Sequence, residues 1–494
     1  HDNGRNHPYG FRYPAWQMLG IGGYDGGYIT YFSGRSRTDL DAIQKVTKDP
    51  DMTWKKFKTQ RYELMENSWN TIPYLNSDEL VEKYVDALKL DAANNDRNVS
   101  NSTNVRRVNY HYLKRVTDDF RAEVLDGNIQ KVHIKTAEEL KQKLTQNPCA
   151  YYVLDNDIDL SSITEGNAIV DGYFMGKLDG QGHILTGNTI PIFNTIKFAH
   201  ISNLQVENSN ITSSLMNVGA LAKTLEYSQM ENVQGKDITI SATNKQVGGL
   251  IGSTVYSFVK NVHVTRSNVV GTTRVGGISG YVGQSQVEEC SANGKVRSTG
   301  NAAGGLVGEI YSKTTLINCY TIGEVQGNQD IGGLVGYVNT SYIMNCFSNT
   351  KATGNAGIAS FVGQTTNNSI IKNNITLVNQ TVGYKFDGRT ASDKFKNFSG
   401  NYENKVNVGK STTTRAGIDF TGKITEIEGT EVKKESFYTN TLTWDNHIWD
   451  FSRVASGGLP KLKNDDPNDI TMTGERYSIT NVEEFESLLK EHRE

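Results

Sequence analysis

Nine histidines are scattered along the 494 residues: His1, His7, His111, His133, His183, His200, His263, His447 and His492. No two of them flank a glutamate in an HExxH run, and no other close histidine pair has metal-ligand spacing. His1 and His7 stand with Asp2 in HDNGRNHPYGF, which reads either as the edge of a site or as a solvated, hydrogen-bonded stretch. Carboxylates gather once, at Asp155, Asp157 and Asp159 in LDNDIDL, with Asp171 and Asp179 close behind. Paired carboxylates can run glycosidase chemistry and clustered ones can ligate calcium. Alternation with apolar neighbours also fits plain outward-facing solvation. No GxSxG elbow is present, and none of the four cysteines (Cys149, Cys290, Cys319, Cys346) sits in a nucleophile-like context. No catalytic, cofactor-binding or metal-binding residue is therefore assigned to this chain.

The elements behind these residues announce themselves by repetition. VGGLIG at Val247–Gly252 returns as VGGISG at Val275–Gly280, AGGLVG at Ala303–Gly308 and IGGLVG at Ile331–Gly336. A degenerate VGALAK starts at Val218, and AGIASFVG follows at Ala356. The first glycines fall at 219, 248, 276, 304, 332 and about 357, a period of about 28 residues. A second ladder keeps phase: Asn203-Leu204, Asn232-Val233, Asn261-Val262, Glu289-Cys290, Asn318-Cys319, Asn345-Cys346 and Asn374-Ile375. Short β-prone runs separated by Gly, Ser, Asn and Thr at this period predict one coil of a parallel β-solenoid per repeat. Glycine at the corners permits positive φ and close coil-to-coil approach. Stacked asparagines tolerate left-handed backbone and bond from rung to rung. The three in-phase cysteines read as free, buried thiols of the core stack. No proline occurs between Phe193 and Leu459, as a continuous hydrogen-bond ladder requires. Charged residues thin out between His200 and Thr381.

Caps and flanks complete the plan. Thr136 and Glu139 form a capping box opening an amphipathic helix to about Gln146, read as the plug of the solenoid's first end. Tyr151–Leu160 gives the opening strands. Trp444 and Trp449 mark an aromatic-rich close of the unit, and Ile479–Phe485 repeats the Ile134–Leu140 cap signature. Residues 1–130 differ: aromatics, charge and helical periodicity (Ser77 with Leu80, Val81, Tyr84 and Leu88) predict a small, mainly helical unit. The expected fold class is α+β multidomain: a helical unit at 1–130, a solenoid with its cap helix at 131–466, and a linker with the start of a further module at 467–494.

A net charge of -3 gives no electrostatic pull toward nucleic acid or anionic lipid, so no nucleic-acid partner is expected. No apolar window is long enough to span a membrane. Four cysteines make no disulfide framework. A chain opening at His1 without methionine or signal peptide, and closing on a restarted cap, is expected to be a piece of a longer modular protein.

The GGLVG-type repeats, with KLDGQGH at Lys177–His183 before them, resemble the GLUG-motif solenoids of streptococcal IgA1 protease-like zinc metallopeptidases. The opening YYVLDNDIDLS and the exit LTWDNHIWDFS…GLPKLK are familiar from the same proteins, so the resemblance covers roughly 132–466. HPYGFRYPAWQMLG, TWKKFKTQRYELMEN and HYLKRVTDDFRAEV resemble the last part of that family's catalytic domain. The resemblance implies a secreted or surface-attached bacterial metallopeptidase, with zinc in the parent's peptidase domain and none in this chain, which alone would be inactive. It implies host partners such as immunoglobulin A or another glycoprotein, besides the rest of the parent polypeptide. A surface adhesin without peptidase activity is the alternative, and a solenoid carbohydrate-active enzyme using the entrance aspartates is a third.

Overall fold

The computed structural model describes residues 131–465 apart from 147–150, 175, 198, 227, 313, 367–368, 378–382, 392–394, 396 and 406–409. These residues wind into a β-solenoid. The central coils pass through three faces: a broad sheet that runs the whole length, a second sheet of eight strands, and a short third sheet of five. Val247–Gly248, Ile251–Val255 and Phe258–Gly271 are one such turn. The coil-to-coil pairings are parallel, with the register broken at Val264/Ser267 and Val170/Tyr173; on the short face Val247 lies on Val275, Val275 on Ala303, Ala303 on Ile331 and Ile331 on Ile358. Inward-facing Leu, Ile and Val from all three faces form one continuous core from Ile134 to Ile424.

The repeat glycines are there for space. Gly248, Gly276, Gly304 and Gly332 stack on one another, and a Cβ on any of them would lie 1.9–2.2 Å from a carbonyl oxygen of its own corner. None of the four has positive φ. Ala359 stacks on Gly332, so the last rung is two residues later than the glycine at 357 suggests. The positive φ values fall elsewhere, in corner columns of other residue types. One is the asparagine ladder: Asn203, Asn232, Asn261, Glu289, Asn318, Asn345 and Asn373, all at φ 52–57. The left-handed geometry expected there is found, with the final rung at Asn373. Asn374 takes the next position, stacked on Cys346 in the core. A second column (Asn217, Gln246, Arg274, Ala302, Asp330) also adopts φ 56–62, although its residue types gave no hint of it.

Helix α1, Ala137–Gln146, is capped by Thr136, whose hydroxyl accepts from Glu139 N at 3.2 Å, while the Glu139 carboxylate reaches back to Lys135 N at 2.8 Å. It buries Leu140 and Leu144 and packs on Val170–Phe174, the first strand of the eight-stranded face. That strand edge, which could otherwise recruit another chain, is thereby covered.

The expectation of an α+β multidomain fold is corrected. The architecture is a β-solenoid, and α1 is the single α-helix among the described residues, too little to make an α+β fold. The expected helical unit at 1–130 and the module start at 467–494 lie outside the described residues, as do His1, His7, His111, Cys149 and His492.

The far end differs from the sequence reading too. Phe395 packs against Phe398 and Phe420 over the last coils, with ring centroids 4.7 and 4.9 Å apart. Trp444 and Trp449 instead lie on the flank. The chain after the last coil turns back along the outside of the broad sheet. There Phe437, Tyr438, Trp444, Trp449 and Phe451 cover an outward column of Tyr402, Ile375, Phe347 and Tyr320. An antiparallel pair, Trp449–Asp450 with Lys461–Leu462, stiffens this strap.

Candidate functional site

The entrance aspartates are separated by their own turns. Asp155 bonds His133 Nδ1 at 2.6 Å, Asp157 accepts from Ile184 N at 3.0 Å and faces His183 Nδ1 at 3.1 Å, and Asp159 accepts from Ser161 N at 2.9 Å. These bonds hold all three carboxyls below the usual range: His133 leads at Asp155, the Ile184 amide at Asp157, and the Ser161 amide at Asp159. A carboxyl held low is a poor general acid. Asp171 is exposed, and Asp179 accepts from Gln181 N at 2.9 Å. Among the described residues no three His, Cys, Asp or Glu side chains lie close enough to hold a metal ion. Cys290, Cys319 and Cys346 are free and fully buried, as the spacing predicts, and burial pushes the Cys290 and Cys346 thiols up.

Asp179 has a second role that its sequence position conceals. It accepts from Asn203 Nδ2 at 3.0 Å, Asn203 Oδ1 accepts from Asn232 Nδ2 at 3.0 Å, and Asn232 Oδ1 accepts from Asn261 Nδ2 at 2.6 Å. A carboxylate only accepts, so Asp179 sets the direction of every amide above it. The chain ends with Asn261 Oδ1 at 2.6 Å from His263 Nε2.

His263 is buried beneath the end of the strap. Its Nδ1 lies 2.6 Å from Asp465 Oδ1 and 2.8 Å from Ser291 Oγ. Ser291 donates to Asp465 at 3.3 Å, Tyr320 OH donates to the other carboxylate oxygen, and Asn464 Nδ2 donates to Glu289 Oε2 at 3.0 Å. Burial opposes the charge on Asp465, yet the facing His263 and the Tyr320 hydroxyl bond hold its carboxyl below the ordinary value. Serine, histidine and aspartate together suggest a hydrolase, but the bonding is wrong for one. Nδ1 serves both partners, and Nε2 is spent on an amide oxygen. A triad base holds the aspartate on one ring nitrogen and the serine on the other, whereas here one nitrogen faces both. The cluster is a latch.

A second buried polar group closes the far end. Asp387, fully buried, receives Arg415 Nη1 at 2.8 Å and both the amide (2.9 Å) and hydroxyl of Thr390. Burial outweighs these bonds and pushes its carboxyl up to about 6. Arg415 lies over the Tyr384 and Phe395 rings, at 5.4 and 5.5 Å. Glu403, also buried and pushed up by burial, takes Ser411 Oγ and Thr412 N. Sequence reasoning missed both clusters, because Arg415 lies 28 residues from Asp387 and Ser291 lies 174 from Asp465.

Residues 91–237 match the profile of the M26 IgA1-specific metallo-endopeptidase N-terminal region, and residues 271–297 match the GLUG motif. No curated protein matches the chain. Similar solved structures include two IgA1 protease-like proteins. One is a candidate immunoglobulin A1 protease from Bacteroides ovatus, at 14% identity and TM-score 0.40, covering 68% of this chain and 93% of that one. The other is an IgA1 protease, at 16% identity and TM-score 0.40, covering 58% of this chain and 24% of that one. The first profile runs across residue 130 into the opening coils, and the second runs from the end of Phe258–Gly271 into Ser291–Ser298, about one coil. The chain is thus similar to the N-terminal region of the IgA1-specific metallo-endopeptidases over residues 91–237 and to the GLUG motif over residues 271–297.

Proposed function

We propose that this chain is a non-catalytic recognition and spacer segment of a secreted or surface-attached bacterial zinc metallopeptidase of the IgA1 protease type. It holds a host protein, immunoglobulin A or another glycoprotein, for cleavage elsewhere in the parent. The observation that carries this reading is the match of residues 91–237 to the N-terminal region of the IgA1-specific metallo-endopeptidases, continuous with the solenoid coils. In-register coils sharing one core suit a spacer, because neighbouring repeats cannot move independently. No helix among the described residues is long and apolar enough to cross a membrane.

The test is a paired pull-down and cleavage assay. The purified chain, with and without zinc, is mixed with IgA1 and a panel of other glycoproteins. Capture without cleavage is the expected result. Zinc-dependent cleavage by this chain alone, or no capture of any of them, overturns the reading.

A further inference from the structure

We propose that the outer surface of the eight-stranded face, around Tyr311, Tyr281 and Tyr337, is a platform that binds a neutral oligosaccharide. The inference rests on the reading above that the chain holds a glycoprotein, and it names the part of that partner which is gripped. Register brings the tyrosines together. Ser279–Gly283, Val307–Tyr311 and Val335–Asn339 lie side by side, with Tyr281 opposite Glu309, Glu309 opposite Tyr337 and Gly283 opposite Tyr311. Strand alternation sends these residues outward, while Val282, Ile310 and Val338 enter the core. Gly283 has no side chain, and the Tyr281 ring lies down over it: a Cβ there would sit 3.0 Å from the Tyr281 hydroxyl oxygen and 3.1 Å from its Cε1. Tyr311 stands beside that ring and is 44% exposed. Tyr337, one coil further, is held by Thr366, whose hydroxyl donates to the tyrosine oxygen at 3.2 Å.

Oriented polar groups border the rings. The Arg274 guanidinium lies 5.3 Å from the centre of the Tyr281 ring, and its Nε donates to Glu309 at 2.6 Å. That bond uses one of the five guanidinium N–H groups, and the side chain stays partly exposed. Arg389 grips Asp330 through two bonds, at 2.7 and 3.0 Å. A pyranose matches this arrangement. Its C–H face suits the negative face of an aromatic ring, and its hydroxyls both donate and accept. Two arginines balance one glutamate and one aspartate, so the cluster lacks the cationic excess that a nucleic acid strand requires. The strands are hydrogen-bonded on both sides, which leaves no sheet edge for an extended peptide to join.

The test titrates the whole chain with lactose, N-acetyllactosamine and mannotriose, followed by ligand-observed NMR. Saturable binding of at least one sugar is expected. Tyr311→Ala should raise its Kd about tenfold, the upper end for one aromatic contact, and Tyr311→Phe, which keeps the ring, should retain binding. Arg274→Lys, which keeps the charge toward Glu309 but loses the planar fork, should also weaken it. Denaturant midpoints report folding in each variant. No saturable binding of any of the three sugars, or binding unchanged in Tyr311→Ala, overturns the proposal. A pull-down of IgA1 before and after enzymatic removal of its glycans separates this proposal from the reading beneath it. Capture that survives both deglycosylation and Tyr311→Ala sinks the platform and leaves protein capture standing. Tyr311-dependent sugar binding without capture of any glycoprotein upholds the platform and sinks the capture reading.

Discussion

A methyl group added at Gly277 would put its carbon 2.2 Å from the carbonyl oxygen of Gly305 and 2.8 Å from the Ala292 side chain. Neither backbone can yield without breaking the register of two coils. Gly277→Ala is expected to cost 3 kcal/mol or more, roughly the upper end for overpacked sites, measured as a fall in denaturant midpoint. Asp387 gives a pH dependence at the same scale. Its carboxyl rises from 3.8 to about 6 in the folded chain, so the folded state binds the proton more tightly than the unfolded one. Stability from this group is present at low pH and declines as pH climbs from about 4 to about 6, by roughly 3 kcal/mol at most. Chemical denaturation across that interval should show the decline, and Asp387→Asn should flatten it. Cys290, Cys319 and Cys346 should resist a thiol reagent in the native chain and react once it is unfolded, as read by mass spectrometry of the labelled peptides. Single residues of this kind were unevenly legible. The thiols and the asparagine ladder follow from residue type and phase alone. Asp387 does not, because its charged partner Arg415 meets it only through coil geometry.

The strap is the element that no local pattern predicts. Its tryptophans mark an aromatic close, but periodicity cannot say whether an aromatic segment plugs an end or lies along a side. The structure answers with contacts far apart in sequence. Trp444 Nε1 donates to Asn373 O at 2.9 Å, and Trp449 packs on Phe347 and Tyr320 with centroids 5.8 and 6.2 Å away. Trp449 is 1% exposed. Trp449→Ala should cost roughly 3–5 kcal/mol, the range for removing a buried large aromatic side chain. Faster exchange across 437–465 with an unchanged 303–311 coil would show that the loss is confined to the strap. Helix α1 was the easier element, since Thr136 and Glu139 carry their capping geometry in the sequence itself.

At the scale of the molecule, the 28-residue period was enough for the solenoid, because each repeat can bury its apolar residues only against its neighbours. The same logic left the path of the chain beyond the last coil unspecified, since the period stops there. That path has a mechanical consequence. The chain passes Asp465 on the flank, beside His263, several coils back from where the solenoid ends. Tension applied through the residues that follow would not tug on the terminal coil and unwind the stack one turn at a time. It would be borne first by the Asp465 contacts and then by the tryptophan grip, which spreads the load over the coils of Tyr320, Phe347 and Ile375 together. The solenoid should thus behave under load as a sheathed rod held from its side, yielding at the fastening before any coil opens.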